Sequence, residues 1–433
     1  MFGSPNLQRV PAGGGEPKPL LKLDQQRQEI RQFWPWFLPD GNHFVYLSQS
    51  TTPGKTGIYL GSLDSEQSRL LMPGDSNAIY AAPGFLLFGR QQTLLARAFD
   101  ADKLEFTGDP FPLAERVGAM QVLPGSLFSV SQNGVLVSRP PLLNVVQLAW
   151  HGRNGQRLAP VGEPGEYRQM VLAPDQDRLF VERPDPKTTF RDVWMLVMAS
   201  GIFSRITLTP GTDQDPVLSP NGRELFFSSN RNGRTDLYKK VIGGGEDELI
   251  LSTQEAKYPE QVLKDGSILF INSNGKSIFR LPPASAGPNR KPELLFQTGF
   301  ESDEPQVSPD SRWITYSSNE SGRWEIYVAS FPSFADKRQV SNSGGYQPKW
   351  RKDGKELFYL TQDGKLMVVE VNAGGALAAG TPKLLFQTPV KGDWRFDQYA
   401  VSGDGQRFIY GEPMEQEEKP IHVVLHWPAG VKQ

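Results

Sequence analysis

Two pairs of carboxylates are the residues of this sequence whose types and spacing could do chemistry. Asp213 lies two residues before Asp215, and Asp303 is followed directly by Glu304. Each pair comes at the start of a predicted strand, so the side chains are expected to meet at one end of a sheet assembly. Converging carboxylates can hold Ca²⁺, which takes roughly six to eight oxygen ligands. Aspartates beside prolines also cap turns. We therefore predict no cofactor and leave calcium open.

Further polar and aromatic residues are predicted to lie in loops at the same end. The loop around Asn230 and Arg231 adds an amide and a guanidinium group, and Tyr346 adds a ring. Three more aromatic residues, Trp34, Tyr258 and Trp394, could form a platform for a ligand or pack in the core. The predicted binding face comprises Asp213, Asp215, Asn230, Arg231, Asp303, Glu304 and Tyr346.

The sequence lacks the common motifs of enzyme chemistry. It has 433 residues and no cysteine, which excludes disulfides, thiolate metal sites and cysteine nucleophiles. A GxSxG motif, which places a catalytic serine on a sharp turn, does not occur. His422 and His426 would be about 13 Å apart in a predicted strand, too far for one metal ion. We predict a non-enzymatic protein. A lyase or hydrolase that uses central carboxylates and a structural subunit of a larger complex remain the alternatives.

The elements that must position these residues recur along the chain. Four similar turns stand at Leu38–Gly41, Ala173–Asp175, Ser219–Gly222 and Ser308–Asp310. Weaker copies occur at 83–84, 133–134, 264–266, 352–354 and 403–405. The mean spacing of these nine marks is about 45 residues, which is typical of the blades of a β-propeller.

Each period divides into four short strands. In the clearest period, the strands are expected at 216–219, 224–228, 236–239 and 248–251, with Ser219–Gly222 as the tight turn between the first two. Gly222 and Gly266 are predicted to take positive φ, because only glycine does so without strain. Four antiparallel strands in each period make one blade. The sequence therefore predicts an all-β propeller with about nine blade repeats.

Two arrangements of the blades are open. We favour about three N-terminal blades over 1–144 and a six-bladed propeller over 145–433. The alternative is one ring of eight or nine blades. In the favoured arrangement, Val145–Leu158 lacks inner strands of its own and is predicted to pair with Ile421–Leu425, which closes the ring and removes open sheet edges. Residues 7–21 are predicted to be the last two strands of a blade, as in a fragment of a longer chain.

The repeat resembles the WD-like repeats of TolB proteins. The resemblance is carried best by SPNGRELFFSSNRNGRTDLY at Ser219–Tyr238. Three other segments, at Trp34–Ser48, Gln147–Gln156 and Ile421–Trp427, resemble the C-terminal propeller region of bacterial receptor-type serine/threonine kinases. The kinase domain and the membrane span of that family are missing from this chain. These resemblances imply an extracytoplasmic sensor or scaffold domain.

The amino-acid composition restricts the kinds of partner that this chain is expected to bind. The chain has 46 basic and 48 acidic residues, and this balance disfavours nucleic-acid binding. It has no apolar run of about 18 residues, so no membrane-spanning helix is predicted, and no signal peptide is visible. We predict a sensing or scaffold module that binds a protein, a peptide or a polar small molecule through one mouth of the propeller.

Overall fold

The structure is a computed structural model. It describes residues 2–430 except 4, 51, 53, 121–123, 142–143, 186–189, 274, 373–377, 394–395 and 416–419. These residues form β-strands joined by turns, with two short 3₁₀ segments at Ala284–Ala286 and Trp427–Gly430 and no α-helix. The described part of the chain thus offers no helix with the length and apolar character to cross a bilayer. Four-stranded antiparallel sheets recur along it, which confirms the predicted all-β propeller architecture.

The chain divides into two compact units, Met1–Leu143 with Glu417–Gln433, and Asn144–Gln416. The first unit contains four sheets, of orders β1-β2-β3, β4-β5-β6-β7, β11-β10-β9-β8 with β12 on β10, and β13-β14-β40. Their strands are β1 Phe2–Gly3, β2 Leu7–Arg9, β3 Lys18–Pro19, β4 Glu29–Phe37, β5 His43–Ser50, β6 Gly57–Ser62, β7 Ser65–Pro73, β8 Ala78–Ala81, β9 Phe85–Arg90, β10 Thr93–Asp100, β11 Glu105–Phe106, β12 Phe111–Ala114, β13 Phe128–Val130, β14 Leu136–Ser138 and, near the end of the chain, β40 His422–Val424.

The second unit contains six sheets. Five are consecutive in sequence, and the sixth joins both ends of the unit in the order β16-β15-β39-β38. The strands are β15 Val146–Gly152, β16 Arg157–Pro160, β17 Met170–Leu172, β18 Arg178–Pro184, β19 Arg191–Val197, β20 Ile202–Arg205, β21 Asp213–Leu218, β22 Glu224–Ser229, β23 Asp236–Val241, β24 Glu248–Leu251, β25 Lys257–Val262, β26 Ile268–Asn272, β27 Ser277–Leu281, β28 Glu293–Gln297, β29 Ser302–Val307, β30 Trp313–Ser318, β31 Glu325–Ser330, β32 Arg338–Gln339, β33 Tyr346–Trp350, β34 Glu356–Leu360, β35 Lys365–Asn372, β36 Ala378–Ala379, β37 Lys383–Gln387, β38 Tyr399–Val401 and β39 Arg407–Pro413.

In the second unit the core lies between successive sheets. In β22, Leu225 and Phe227 pack toward the preceding sheet, and Phe226 between them packs toward the following sheet. Alternate side chains of a strand point to opposite faces. A strand that is buried on both faces therefore reads as a continuous apolar run, as Leu-Phe-Phe does here.

The predicted turns join the first two strands of their sheets. Between β21 and β22, the Glu224 N–H donates to Ser219 Oγ (2.9 Å) and the Arg223 N–H donates to Asn221 Oδ1 (3.0 Å). Gly222 closes this turn with φ 67°, and Gly266 takes φ 83° in the next sheet. Both values confirm the prediction, because only glycine adopts this conformation without strain. The Ser-Pro-Asn-Gly sequence thus supplies the hydroxyl, the amide and the glycine that the turn needs.

The ring-closing sheet corrects one prediction. Val146–Gly152 (β15) pairs antiparallel with Arg407–Pro413 (β39), whereas Ile421–Leu425 was the predicted partner. The latter segment contains β40, which pairs with Leu136–Ser138 (β14) in the first unit. The prediction failed because it counted Ile421–Trp427 as a third strand after β39. The structure instead places β15 beside β39, so the last sheet of the second unit is complete without β40.

Candidate functional site

The first strands of the six sheets surround the axis of the second unit. Strands β38, β17, β21, β25, β29 and β33 contact one another in that order. The circle is closed by Gln347, whose Oε1 accepts the Gln398 N–H (2.7 Å) and whose Nε2 donates to Gln398 Oε1 (3.0 Å). Side chains from six separate sheets therefore converge on one axis.

Three of these strands share a backbone irregularity that directs a polar side chain. Asp215, Glu304 and Gln347 each precede a proline and have φ of 55°, 56° and 57°. The strand register shifts at each of them. Non-glycine residues rarely adopt positive φ, and bulges of this kind re-aim side chains. The Asp-Pro, Glu-Pro and Gln-Pro pairs each begin three residues before the last residue of their strand, and this recurrence is a sequence signal for the site.

One of these polar side chains, Glu304, connects neighbouring sheets through hydrogen bonds. Glu304 Oε2 accepts the Gln347 N–H of the next sheet (2.6 Å) and the Ser317 hydroxyl (2.6 Å). Its other oxygen, Oε1, has no hydrogen-bond partner among the described residues, and the same holds for Asp215 Oδ2 and Asp397 Oδ1. One oxygen of Glu304 therefore has a structural role. With Glu182 Oε1, which also lacks a partner among the described residues, four carboxylate oxygens around the axis remain able to accept a hydrogen bond.

Carboxylates dominate the charge around the axis. We call the set of Glu182, Asp215, Glu260, Asp303, Glu304 and Asp397 the axial carboxylates. Three cations accompany them: Lys349 Nζ is 2.6 Å from Asp397, and Arg168 and Arg191 each lie 3.7 Å from Glu182, with Arg168 stacked over the Phe396 ring. Six acidic groups thus face three basic ones. Glu182, Glu260, Asp397, Arg168 and Lys349 were not among the predicted site residues, because nothing in a single repeat marks which positions face the axis.

Burial raises the pKa of Glu182, and burial together with repulsion from neighbouring carboxylates raises the pKa values of Asp215, Glu260, Asp303 and Glu304. Burial, followed by the charge of Glu182, raises the pKa of Asp215 to about 7. Burial, followed by the charges of Asp303 and Asp397, holds the pKa of Glu260 well above its usual range. The pKa values of Asp303 and Glu304 are raised in the same direction, with burial as the main cause. The axis therefore keeps protons at a pH where ordinary carboxyl groups have lost them.

We expect the second unit to be more stable at pH 5 than at pH 8. The pKa of Asp215 is about 7 in the folded chain and near 3.8 when unfolded, so between these values the folded state holds a proton that the unfolded state releases. The free energy of unfolding must then fall as the pH rises. Asp215→Asn should flatten this slope and add about 2 kcal/mol at pH 8 relative to wild type. Urea unfolding at several pH values measures it. Glu248→Gln, an exposed carboxylate on β24, is the charge-matched control, and parallel profiles for the two variants would contradict the expectation.

Three residues of the predicted binding face are engaged in local structure. Arg231 pairs with Asp213 (3.1 Å) and Asp247 (2.6 Å), and its guanidinium lies over the Tyr238 ring (4.3 Å). Asn230 Oδ1 accepts the Thr212 N–H (2.7 Å). These contacts fix the loop between β22 and β23. Asp213, Asn230 and Arg231 therefore hold this loop in place.

The predicted aromatic residues are distributed between the two units. Tyr346 is buried and packs near Trp324, with ring centroids 6.3 Å apart. Tyr258 lies on β25 beside the axial carboxylates, and burial raises the pKa of its hydroxyl to about 12. Trp34 belongs to the first unit, where its indole N–H donates to the Pro124 carbonyl (2.6 Å). Trp394 lies outside the described residues.

The axial carboxylates do not form a metal site. Within the described ranges, no three His, Cys, Asp or Glu residues are placed so that they could share one metal ion. Asp303 Oδ1 is already engaged, because it accepts the Glu304 N–H (2.8 Å). The calcium site left open from the sequence is therefore without a set of ligands in this part of the chain.

Comparison with known proteins agrees with the propeller architecture. Residues 171–330 match the TolB beta propeller domain. This TolB-type segment runs from β17 to the end of β31 and contains five of the six axial carboxylates. The Tol-Pal system protein TolB of Bordetella pertussis is 40% identical over 42 residues, which is 10% of either chain. The match thus spans about a tenth of the length of that curated relative.

Two solved structures of TolB-type proteins are also similar to this chain. A TolB-type protein of Agrobacterium tumefaciens superimposes with a TM-score of 0.51 at 18% identity, over 63% of this chain and 99% of that one. TolB of Acinetobacter baumannii aligns over 80% of either chain with a TM-score of 0.43 and 13% identity. At 18% identity, the similarity to the Agrobacterium tumefaciens structure shows that the two chains share a fold.

Proposed function

We propose that this chain is a non-enzymatic binding module that receives a basic segment of a partner protein at the axis of its second unit. The observation that carries the proposal is the convergence of six carboxylates from five sheets on one axis, with three basic groups beside them. The match to the TolB beta propeller domain supports a protein-binding role. A likeness to receptor-kinase propellers, seen in the sequence, supports an extracytoplasmic sensor.

The chemistry of the axial carboxylates favours a cationic ligand. A lysine or arginine side chain would lower the repulsion that now raises the pKa of Glu260, Asp303 and Glu304. It could also donate to the oxygens of Asp215 and Glu304 that lack partners. Binding should therefore release protons from the site, and it should weaken as the pH falls and as salt is added.

A fluorescein-labelled oligolysine peptide tests the proposal, with oligoglutamate as the acidic counterpart. Fluorescence anisotropy should show oligolysine binding that the triple variant Asp215→Asn, Glu260→Gln, Asp303→Asn weakens at least about tenfold. The control is Glu248→Gln, Glu293→Gln, Glu370→Gln, which removes the same charge from exposed positions on β24, β28 and β35 and should bind as wild type does. Equal affinities of the two folded triple variants would place the site elsewhere. Turnover of a peptide or glycan substrate that only the axial variant loses would replace this proposal with an enzyme.

A further inference from the structure

Two arginines lie beside one carboxylate in the sheet from β17 to β20. Glu182 is on β18, Arg191 begins β19, and Arg168 lies two residues before β17. Arg168 Nη1 and Arg191 Nε are each 3.7 Å from the same oxygen, Glu182 Oε1. This is longer than an N–H···O hydrogen bond, which spans roughly 2.7–3.2 Å. Two positive charges are therefore held near one carboxylate oxygen without hydrogen bonds to it.

Arg191 has a donor without an acceptor. Its Nη1 atom is buried and has no hydrogen-bond partner among the described residues. Within that part of the chain, Glu182 is also the only acidic residue with which Arg191 forms an ion pair. A buried donor that makes no hydrogen bond costs free energy, which an acceptor supplied by a ligand recovers.

The charges of Glu182 and Arg191 depart from the repeat. Glu182 is the ninth residue after the start of its turn, and Arg191 lies two residues before Val193, which pairs with Glu182. The two sheets that follow a Ser-Pro turn hold uncharged residues at both positions, namely Ser228 with Thr235 and Ser317 with Trp324. Since those sheets form the same four strands, the sheet architecture does not require these charges.

The two arginines lie nearer to solvent than the carboxylate. The side chains of Arg168 and Arg191 are 36% and 26% exposed, whereas that of Glu182 is 2% exposed. Arg168 also stacks on Phe396, with its guanidinium carbon 3.7 Å from the ring centroid. Stacking uses the flat face of a guanidinium group, and hydrogen bonds are donated from its edge. A ligand that arrives from solvent therefore meets the guanidinium groups before it meets Glu182.

We propose that Arg168 and Arg191 form a subsite that binds a carboxylate group of a ligand. Two guanidinium groups can donate to both oxygens of one planar carboxylate. A single negative charge suits this subsite better than a phosphate dianion, because Asp215 lies close enough to interact electrostatically with Glu182. The carboxylate is supplied either by the C-terminus of a peptide or by an acidic side chain. The proposal does not rest on the binding of a basic segment at the axis.

Glu182 competes with such a ligand for the two arginines. Burial raises the pKa of Glu182, although Arg168, Arg191 and the backbone of Asp215 act to lower it. When Glu182 takes up a proton, the arginines lose its negative charge, and Asp215, with a pKa of about 7, becomes neutral over the same direction of pH. A peptide carboxylate stays ionised down to about pH 5. Carboxylate binding should therefore strengthen as the pH falls, which is opposite to the expectation for a cationic ligand.

Isothermal titration calorimetry of the full chain with three acetylated tetrapeptides tests the proposal. The first is tetra-alanine with a free C-terminus, the second is its C-terminal amide, and the third is that amide with one alanine replaced by glutamate. At about pH 6, at least one of the two charged peptides should bind at least about tenfold more tightly than the plain amide. The tighter of the two identifies the source of the carboxylate.

Arg191→Met should remove the preference for the charged peptides. The matched control is Arg312→Met, because Arg312 is 51% exposed and pairs with Asp310 in a turn of another sheet. This variant should bind the peptides as wild type does. Oligolysine binding measured on the same samples separates the two proposals, since Arg191→Met should not weaken it.

Glu182→Gln should produce a gain of affinity, which misfolding cannot mimic. It removes the competing charge permanently, so the affinity for the preferred peptide at about pH 8 should rise at least about tenfold and the pH dependence should flatten. The proposal is overturned by wild type that does not distinguish the charged peptides from the amide up to about 10 mM. Wild-type affinity in Arg191→Met, or weaker binding by Glu182→Gln, would overturn it as well.

Discussion

Cysteines placed at 146 and 413 should form a disulfide that locks the ring of the second unit. Strands β15 and β39 are antiparallel, and Val146 lies opposite Pro413. The neighbouring pair is hydrogen-bonded, because the Met414 N–H donates to the Val145 carbonyl (3.1 Å). Val146 and Pro413 are therefore a non-hydrogen-bonded pair, in which the Cα atoms lie about 4.5 Å apart, within the range that a disulfide spans.

The expected gain in stability is large because the loop is long. Closing a loop of more than two hundred residues removes much of the freedom of the unfolded chain, and the chain-entropy model gives about 5 kcal/mol. Since the natural sequence has no cysteine, Val146→Cys with Pro413→Cys cannot form a mispaired bridge within the chain. Urea unfolding of the oxidised and reduced forms measures the difference.

The control for the disulfide is the pairing that the sequence suggested. Val146→Cys with Val423→Cys would join β15 to the segment Ile421–Leu425, although both edges of β15 are already paired, with β16 and β39. This pair should remain as free thiols within one chain. A bridge that forms equally well in both double variants, or only in the control, would show that β15 does not close the ring with β39.

Replacing Lys257 by methionine should cost the second unit about 3–5 kcal/mol, the range for removing one partner of a buried ion pair. The Lys257 side chain is 1% exposed, and its Nζ lies 2.7 Å from Asp236 Oδ1. It also donates to the Thr235 carbonyl (3.2 Å). Methionine keeps the length of the side chain but leaves the Asp236 carboxylate buried and without a cation.

Two further variants separate the ion pair from simple loss of packing. Lys239→Met removes a lysine from the same sheet as Asp236. Its Nζ pairs with Glu224 (3.4 Å) and Glu248 (3.0 Å) at the surface, so the cost should stay below about 1 kcal/mol. Adding Asp236→Asn to Lys257→Met should recover part of the loss. Urea unfolding that shows equal costs for the two lysines would refute this account of the third-strand aspartate.

The Asp236–Lys257 pair also explains a feature of the repeat. An acidic residue recurs near the start of third strands, as Asp192, Asp236 and Glu325. Each is buried and holds a segment that follows the third strand. Asp192 pairs with Arg205 (2.9 Å) on the fourth strand of its own sheet, and Glu325 accepts the Gly344 N–H (3.1 Å) after its sheet. The recurrence of this acidic residue is visible in the sequence. The groups that pair with it differ from sheet to sheet, so only the structure could assign them.

The sequence alone determined the propeller and its turns. Strand length, alternation and the Ser-Pro-Asn-Gly turns depend on residues close together in the chain, and near-copies of one local pattern are visible without knowledge of distant contacts. This is why the four strands of the sheet from β21 to β24 and the positive φ of Gly222 were predicted correctly.

Only the tertiary structure decided which strand closes the ring and which acids meet at the axis. β15 and β39 are separated by more than two hundred residues, and β39 and the segment at 421–425 are both short apolar strands, so no local pattern distinguishes them as partners. Glu260 and Asp397 come from different sheets and approach the same axis only because six sheets are arranged around it. The raised pKa of Glu260, to which the charge of Asp397 contributes, is a property of that convergence, because electrostatic repulsion depends on distance in space and not on separation along the chain.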